Sequence, residues 1–213
     1  MYKKIIVFEG IDGSGKTYHL NEVSRYLRKK KIDFLKIREP GGSRNSEIIR
    51  RLILNNKSTL KKKTDFFLYL AARNENFEVL IRPHINKKII LIDRFKDSTM
   101  AYQHYGFNIS KDIIQKSNKF ILGNLKVDFT FLHIVAEKNI KKKISGKKNR
   151  YDLFKRDFYR KVQRGFLKIS KKNKKKLIVD SHKSKEYNKK IIKNQINKIL
   201  KINDWKIIRW GTY

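Results

Sequence analysis

The chain has 213 residues, 54 Lys and Arg against 19 Asp and Glu, a formal net charge of +35, 39% hydrophobic residues and no cysteine. This length predicts a single domain, 1–213, large enough to bury a full core. Without cysteine, disulfides and thiolate metal sites are excluded, and a reducing, cytoplasmic setting fits. The apolar stretch at 5–8 is far too short for a signal peptide or a membrane span, so no membrane partner is expected. Lysine runs at 29–31, 61–63, 141–143 and 174–176 are scattered and not interleaved with aromatics. Lys, Asn and Ile share A/T-rich codons, so drift in base composition accounts for a solvated lysine surface. Nonspecific polyanion binding at low salt is expected, and no specific nucleic-acid partner.

The pattern predicts a buried strand over 4–8 and a helix from Thr17, with Leu20, Val23 and Leu27 on its inner face. A short strand over 34–37 ends at Arg38, and Pro40-Gly41-Gly42 make a loop. Ile48, Ile49, Leu52 and Ile53 mark the next helix. A long helix is expected over 65–85, with Phe66, Phe67, Leu70, Phe77, Leu80 and Ile81 in the core and Pro83 capping or kinking its end. The apolar run at 89–92 reads as a strand buried on both faces and ends at Asp93. Helices follow over 97–104 and 110–122, a strand over 129–135 and a helix over 137–144. A basic loop covers 145–150, then a helix 152–172, a last central strand 177–179 and an amphipathic helix 186–202. The tail at 205–213 has no assigned role. Five strands alternating with helices predict an α/β fold with a parallel sheet covered on both faces. Ligands in such sheets bind beyond the strand C-termini, where the first loop, Arg38, Asp93-Arg94 and Asp180 all fall.

Between the first strand and the first helix lies Gly10-Ile11-Asp12-Gly13-Ser14-Gly15-Lys16-Thr17, the spacing of a phosphate-binding loop. Glycines let such a loop wrap a phosphate with its backbone N–H groups, and the helix N-terminus adds partial positive charge. Lys16 would reach the β- and γ-phosphates, and the Thr17 hydroxyl would ligate Mg²⁺. A nucleoside triphosphate is therefore the expected ligand. Asp93 suits a hydrogen bond near the Mg²⁺ ion, directly or through water, and Arg94 suits bidentate contact with a phosphate. Arg38 is a second clamp, and the loop with Lys147, Lys148 and Arg150 could close over the triphosphate. Such cations stabilise the charge of a transferring phosphoryl group. Transfer to a second phosphate and hydrolysis both fit at this point.

Five segments, in order, resemble the thymidylate kinase family: 8–17, Arg38-Glu39-Pro40-Gly41-Gly42, Tyr69-Leu70-Ala71-Ala72-Arg73, Asp93-Arg94-Phe95, and 98–103 with its Ala101-Tyr102-Gln103. Arg150, Phe158, Val162 and Phe166 match the family's lid and the helix after it. The resemblance implies a phosphate-loop fold with a mobile lid at about 145–152. It implies transfer of the γ-phosphoryl group of MgATP to dTMP, giving dTDP in dTTP biosynthesis, by a homodimer. By position, ATP would be held by residues 10–17 and Arg150. The dTMP phosphate would be held by Arg38 and Arg94. Tyr69 would stack on thymine and Arg73 would hydrogen-bond it. Tyr102 would lie near the sugar and exclude a 2′-hydroxyl, with Ser98, Thr99 and Gln103 lining the same pocket. Asp12 would contact the sugar 3′-hydroxyl or the Mg²⁺ shell. Lys16, Arg94, Arg150 and Asp12 are the expected catalytic residues. Alternatives are another nucleoside monophosphate kinase or a nucleic-acid-binding NTPase. Three departures stand out: His133 where relatives often carry aspartate, Val127 where proline precedes Asp128, and Phe95 after Asp93-Arg94.

Overall fold

The apolar run Ile5–Gly10 forms β1, buried along its whole length at the centre of a five-stranded parallel sheet. The computed structural model describes residues 3–140 and 149–202. Strand order is β2-β3-β1-β4-β5, with β2 at Phe34–Arg38, β3 at Ile89–Asp93, β4 at Phe129–Ile134 and β5 at Lys176–Asp180. Side chains alternate across the sheet. Ile6 and Phe8 face α1 (Lys16–Lys29) and α7 (Lys185–Leu200), packing on Leu20, Val23, Ile192 and Ile196. Ile5 and Val7 face the opposite layer, with Ile81 and Leu122. The strand C-termini are level, Phe8 and Arg38 both opposing Asp93 and Gly10 opposing His133, so the loops that follow meet at one edge.

The helices between them are α2 (Arg44–Leu54), α3 (Lys62–Asn76), α4 (Lys96–Thr99), α5 (Lys111–Leu122) and α6 (Arg156–Lys171). Ser43 caps α2 and Ser184 caps α7 through their hydroxyls. Pro83 stands one residue before the end of the helical run that starts at Lys62, where its capping or kinking was expected. A wide π-helical segment, Phe77–Ile81, precedes it and a turn Arg82–His84 follows, so the widened ladder absorbs the missing proline N–H. α4 likewise widens into a π-helical segment, Met100–Gly106.

Several expectations are corrected. The last strand, β5, is an edge strand and not a central one, and Ile178 on it is 41% exposed. Phe67, expected in the core, is 61% exposed. Helical periodicity finds an apolar face but does not say what covers it. The helix expected over 152–172 is a short 3₁₀ turn, Arg150–Leu153, followed after a break by α6. Of the helix expected over 137–144, the structure describes a 3₁₀ turn, Glu137–Asn139, and Ile140. Lys147, Lys148, residues 145–148 of the lid, and the tail 205–213 lie outside the described residues.

Candidate active site

The phosphate loop leaves β1 with Gly10, Gly13 and Gly15 at φ of 134°, 71° and 91°, values that side chains rarely permit. A Cβ on Gly10 would stand 2.2 Å from the His133 carbonyl oxygen, so β4 and the loop approach too closely for any other residue. α1 begins at Gly15 with no side-chain cap and no acidic residue in its first turn. Its N-terminal N–H groups thus face the loop unneutralised, which is the electrostatics of an anion site.

Lys16 is buried, and its Nζ donates to the Ile11 carbonyl at 2.8 Å. Burial, followed by the Arg94 charge, pulls its ammonium down to about 8. The Thr17 hydroxyl donates to Asp93 Oδ2 at 2.8 Å, while Asp93 Oδ1 is buried without a partner. A hard cation needs an oxygen pair of this kind, and Mg²⁺ takes only one or two protein oxygens beside phosphate and water. Thr17 and Asp93 fit that ion. Among the described residues no cluster of three His, Cys, Asp or Glu side chains makes a protein-only metal site.

Beside the loop opens a cleft lined by Asp12, Glu39, Pro40, Arg50, Leu54, Tyr69, Arg73, Arg94, Phe95, Ser98, Thr99, Tyr102, Gln103, Asn149 and Tyr151. Arg94 links cleft and loop. It donates to the Gly10 carbonyl at 2.8 Å and to Asp12 Oδ1 at 2.6 Å, and its guanidinium lies 5.2 Å from the Tyr102 ring centroid. Burial opposes ionisation of Asp12, but the Arg94 and Lys16 charges hold its carboxyl down at about 2. Arg94 itself sits at φ 66°, a left-handed conformation stored at a site of use.

Arg73 donates to Glu39 and, through Nη1, to Asn118 Oδ1 at 2.7 Å. Its guanidinium lies 5.3 Å from the Phe95 ring centroid. Glu39 Oε1, Thr99 Oγ1 and Gln103 Nε2 are buried with no partner. Unmet polar atoms in a cleft of this kind await a polar ligand. Tyr69 meets Tyr151 edge-on, and Tyr102 meets Tyr151 and Phe158 in the same way, giving one apolar wall.

The sequence-predicted residues are thus largely brought together: Asp12, Tyr69, Arg73, Arg94, Ser98, Thr99, Tyr102 and Gln103 share the cleft. Two arginines stand elsewhere. Arg38 is exposed, held by Glu47 at 3.0 Å, and Arg50 occupies the cleft instead, donating to the Pro40 carbonyl at 2.6 Å. Burial, then Arg38, pulls the Arg50 guanidinium down. Arg150 donates to the Ile53 and Leu60 carbonyls and pairs with Asp65, which also accepts from Tyr151. Its hydrogen bonds go to the end of α2 and the start of α3, not to the phosphate loop. Sequence reasoning missed Glu9, Glu39, Arg50, Asn118 and Tyr151. Glu9 and Glu39 stood inside the quoted motifs; nothing local marks Arg50, Asn118 or Tyr151.

With this geometry in view, a family model described as thymidylate kinase matches residues 8–192. The chain belongs to the thymidylate kinase family. The thymidylate kinase of Ligilactobacillus salivarius is 40% identical over 186 residues, covering 84% of this chain and 89% of that protein. That of Mycoplasma capricolum subsp. capricolum is 38% identical over 185 residues, covering 84% and 87%. The crystal structure of thymidylate kinase from Ehrlichia chaffeensis matches with a TM-score of 0.75 at 29% identity, over 91% of this chain and 98% of that one. The phosphate loop, the Arg94 junction and the aromatic wall of this thymidylate kinase family member all lie inside the matched span.

Proposed function

We propose that the chain transfers the γ-phosphoryl group of MgATP to dTMP, giving dTDP and ADP. Family membership supports this, and the observation that carries it is Arg94, which touches both the phosphate loop and the cleft. A dTMP phosphate oxygen attacks the γ-phosphorus as the bond to the bridging β,γ-oxygen breaks, and ADP leaves with that electron pair. The attacking oxygen is already anionic at pH 7, so no strong base is needed. The work is positioning and charge stabilisation.

In this reading residues 10–17 cradle the triphosphate, and Lys16 exchanges the Ile11 carbonyl for phosphate oxygens. Thr17 and Asp93 would hold Mg²⁺, which offsets charge on the β- and γ-oxygens when bound. Arg94, with Arg38 and Arg50 close to the rim and cleft, holds the acceptor phosphate. Tyr69 gives thymine a flat apolar face and Arg73 orients it. Ser98, Thr99 and Gln103 supply polar contacts. Tyr102, packed on Asp12, guards the sugar against a 2′-hydroxyl. Arg150 reaches the triphosphate only by leaving Asp65, so lid closure exchanges one anion for another.

The exposed apolar side chains Phe67, Val79, Ile113 and Phe120 support a homodimer. The cysteine-free sequence, with no described helix long and apolar enough to cross a membrane, supports a cytoplasmic setting. A coupled assay of ADP release tests the reaction: dTMP should stimulate it strongly, and DNA should not. Equal ADP release without acceptor would favour an NTPase.

A further inference from the structure

We propose that Glu9, at the end of β1, positions the acceptor wall by capping α4 from another element. α4 has no side-chain cap of its own. Glu9 Oε1 accepts from the Phe95 N–H at 2.9 Å, a donor at the helix start, and at 3.2 Å from the Ser98 N–H, which it shares with the Phe95 carbonyl. Glu9 Oε2 lies 2.5 Å from Ser98 Oγ. Glu9 is 1% exposed. One carboxyl therefore ties the strand that carries the phosphate loop to the helix that carries Ser98, Thr99, Tyr102 and Gln103. Between them it fixes Arg94, whose left-handed backbone must be held from both sides.

The groups facing Glu9 explain its protonation. Burial first, then the Asp97 charge, push its carboxyl up to about 8, against the pull of Ser98, the Phe95 N–H and Arg94. Lys16 also feels its charge, and Asp97 in turn faces Lys96 and Arg73. Ser98 Oγ donates to Glu9 Oε2, and a neutral Glu9 keeps the contact by donating to Ser98 in return. Ionised, Glu9 would offset the Arg94 charge that an acceptor phosphate needs. An anionic acceptor beside Arg94 thus favours the neutral form, and ionisation weakens acceptor binding.

The inference rests on the acceptor reading of the cleft, and its test separates the two. Steady-state KM and kcat for dTMP and for ATP are measured from pH 6.5 to 9.5 for wild type, Glu9→Gln and Glu9→Ala. Glutamine reproduces the neutral acid: its carbonyl accepts the two backbone N–H groups and its amide donates to Ser98. Glu9→Gln should rescue function at pH 7. In wild type, KM for dTMP should rise about tenfold between pH 7 and 9, as expected for loss of binding on one ionisation near 8, and this rise should vanish in Glu9→Gln. Lys16 titrates in the same range and feels Glu9, so KM for ATP is followed in parallel, and a rise confined to dTMP assigns the effect to Glu9. Glu9→Ala should raise KM for dTMP with KM for ATP unchanged. If it fails to fold, the wild-type against Glu9→Gln comparison still decides. The proposal is overturned if Glu9→Gln shows the wild-type alkaline rise, or loses dTMP affinity at pH 7. A wild-type chain that phosphorylates no monophosphate at any pH would overturn the acceptor reading itself, and this inference with it.

Discussion

Arg73 and Glu39, which line the cleft beside the phosphate loop, form an ion pair 2.8 Å apart, with only 2% and 4% of their side chains exposed. Glu39 keeps one oxygen without a partner, and burial pushes its carboxyl up although Arg73 pulls it down. The pair is therefore costly to break by halves. Arg73→Ala should destabilise the fold by about 3–5 kcal/mol, because Glu39 is left buried and uncompensated. Urea unfolding measures this. A change under about 1 kcal/mol would show that the pair is not the anchor of the cleft.

Lys16→Ala should leave stability close to wild type and lower kcat by about a hundredfold or more. The side chain, at the first position of α1, donates to the Ile11 carbonyl, while the proposed reaction needs its charge on the transferring phosphoryl group. Circular dichroism with single-turnover kinetics checks both halves. Near-normal turnover in a folded variant would remove Lys16 from the mechanism.

His133 stacks on His19 behind the phosphate loop, with His133 Nε2 3.1 Å from His19 Nδ1. Burial, then the His19 and Lys16 charges, drive its imidazole well below the ordinary histidine range. The unfolded chain therefore binds a proton that the native chain refuses. Its stability contribution is complete above about pH 6.5 and is lost as pH falls below that, by up to about 1.4 kcal/mol per pH unit. The stability difference between wild type and His133→Asn should narrow or reverse from pH 7.5 to pH 5. A difference independent of pH would mean that His133 is not neutral in the fold.

Arg150→Ala should lower kcat about tenfold or more while leaving KM for dTMP nearly unchanged, since the lid acts on the triphosphate. It should also cost about 1–3 kcal/mol of stability, because Asp65 is buried and would keep only Tyr151 as a side-chain partner. Steady-state kinetics beside thermal melting separate the two effects. A selective loss of dTMP affinity would assign Arg150 to the acceptor side, where its present bonds lie.

Much of this fold was legible because its signals are local. The apolar runs at β1 and β3 are buried on both faces, as their unbroken hydrophobicity implied. Gly10, Gly13 and Gly15 take the positive φ values that the loop motif demands. What escaped was tertiary. Arg50 enters the cleft only because α2 turns that face inward, while Arg38, at a strand end, is captured by Glu47. Phe67 has the spacing of a core residue, yet it faces outward. β5 carries a short apolar run like a central strand, yet its place at the edge is fixed by strand order, which no single segment encodes.

The central claim is that the cleft of Tyr69, Arg73, Arg94 and Tyr102 selects a thymidylate acceptor. It is tested most directly by kcat/KM for dTMP, dUMP, dCMP, UMP, AMP and GMP with MgATP as donor. Thymine and uracil present a carbonyl at the 4-position, where cytosine presents an amino group. Burying that group against an arginine donor costs about 1–3 kcal/mol, or roughly ten- to a hundredfold. Tyr102 adds a penalty against a 2′-hydroxyl. The account predicts dTMP first, dUMP weaker, and dCMP, UMP, AMP and GMP poor. Equal kcat/KM for dTMP and any of dCMP, AMP or GMP would contradict it.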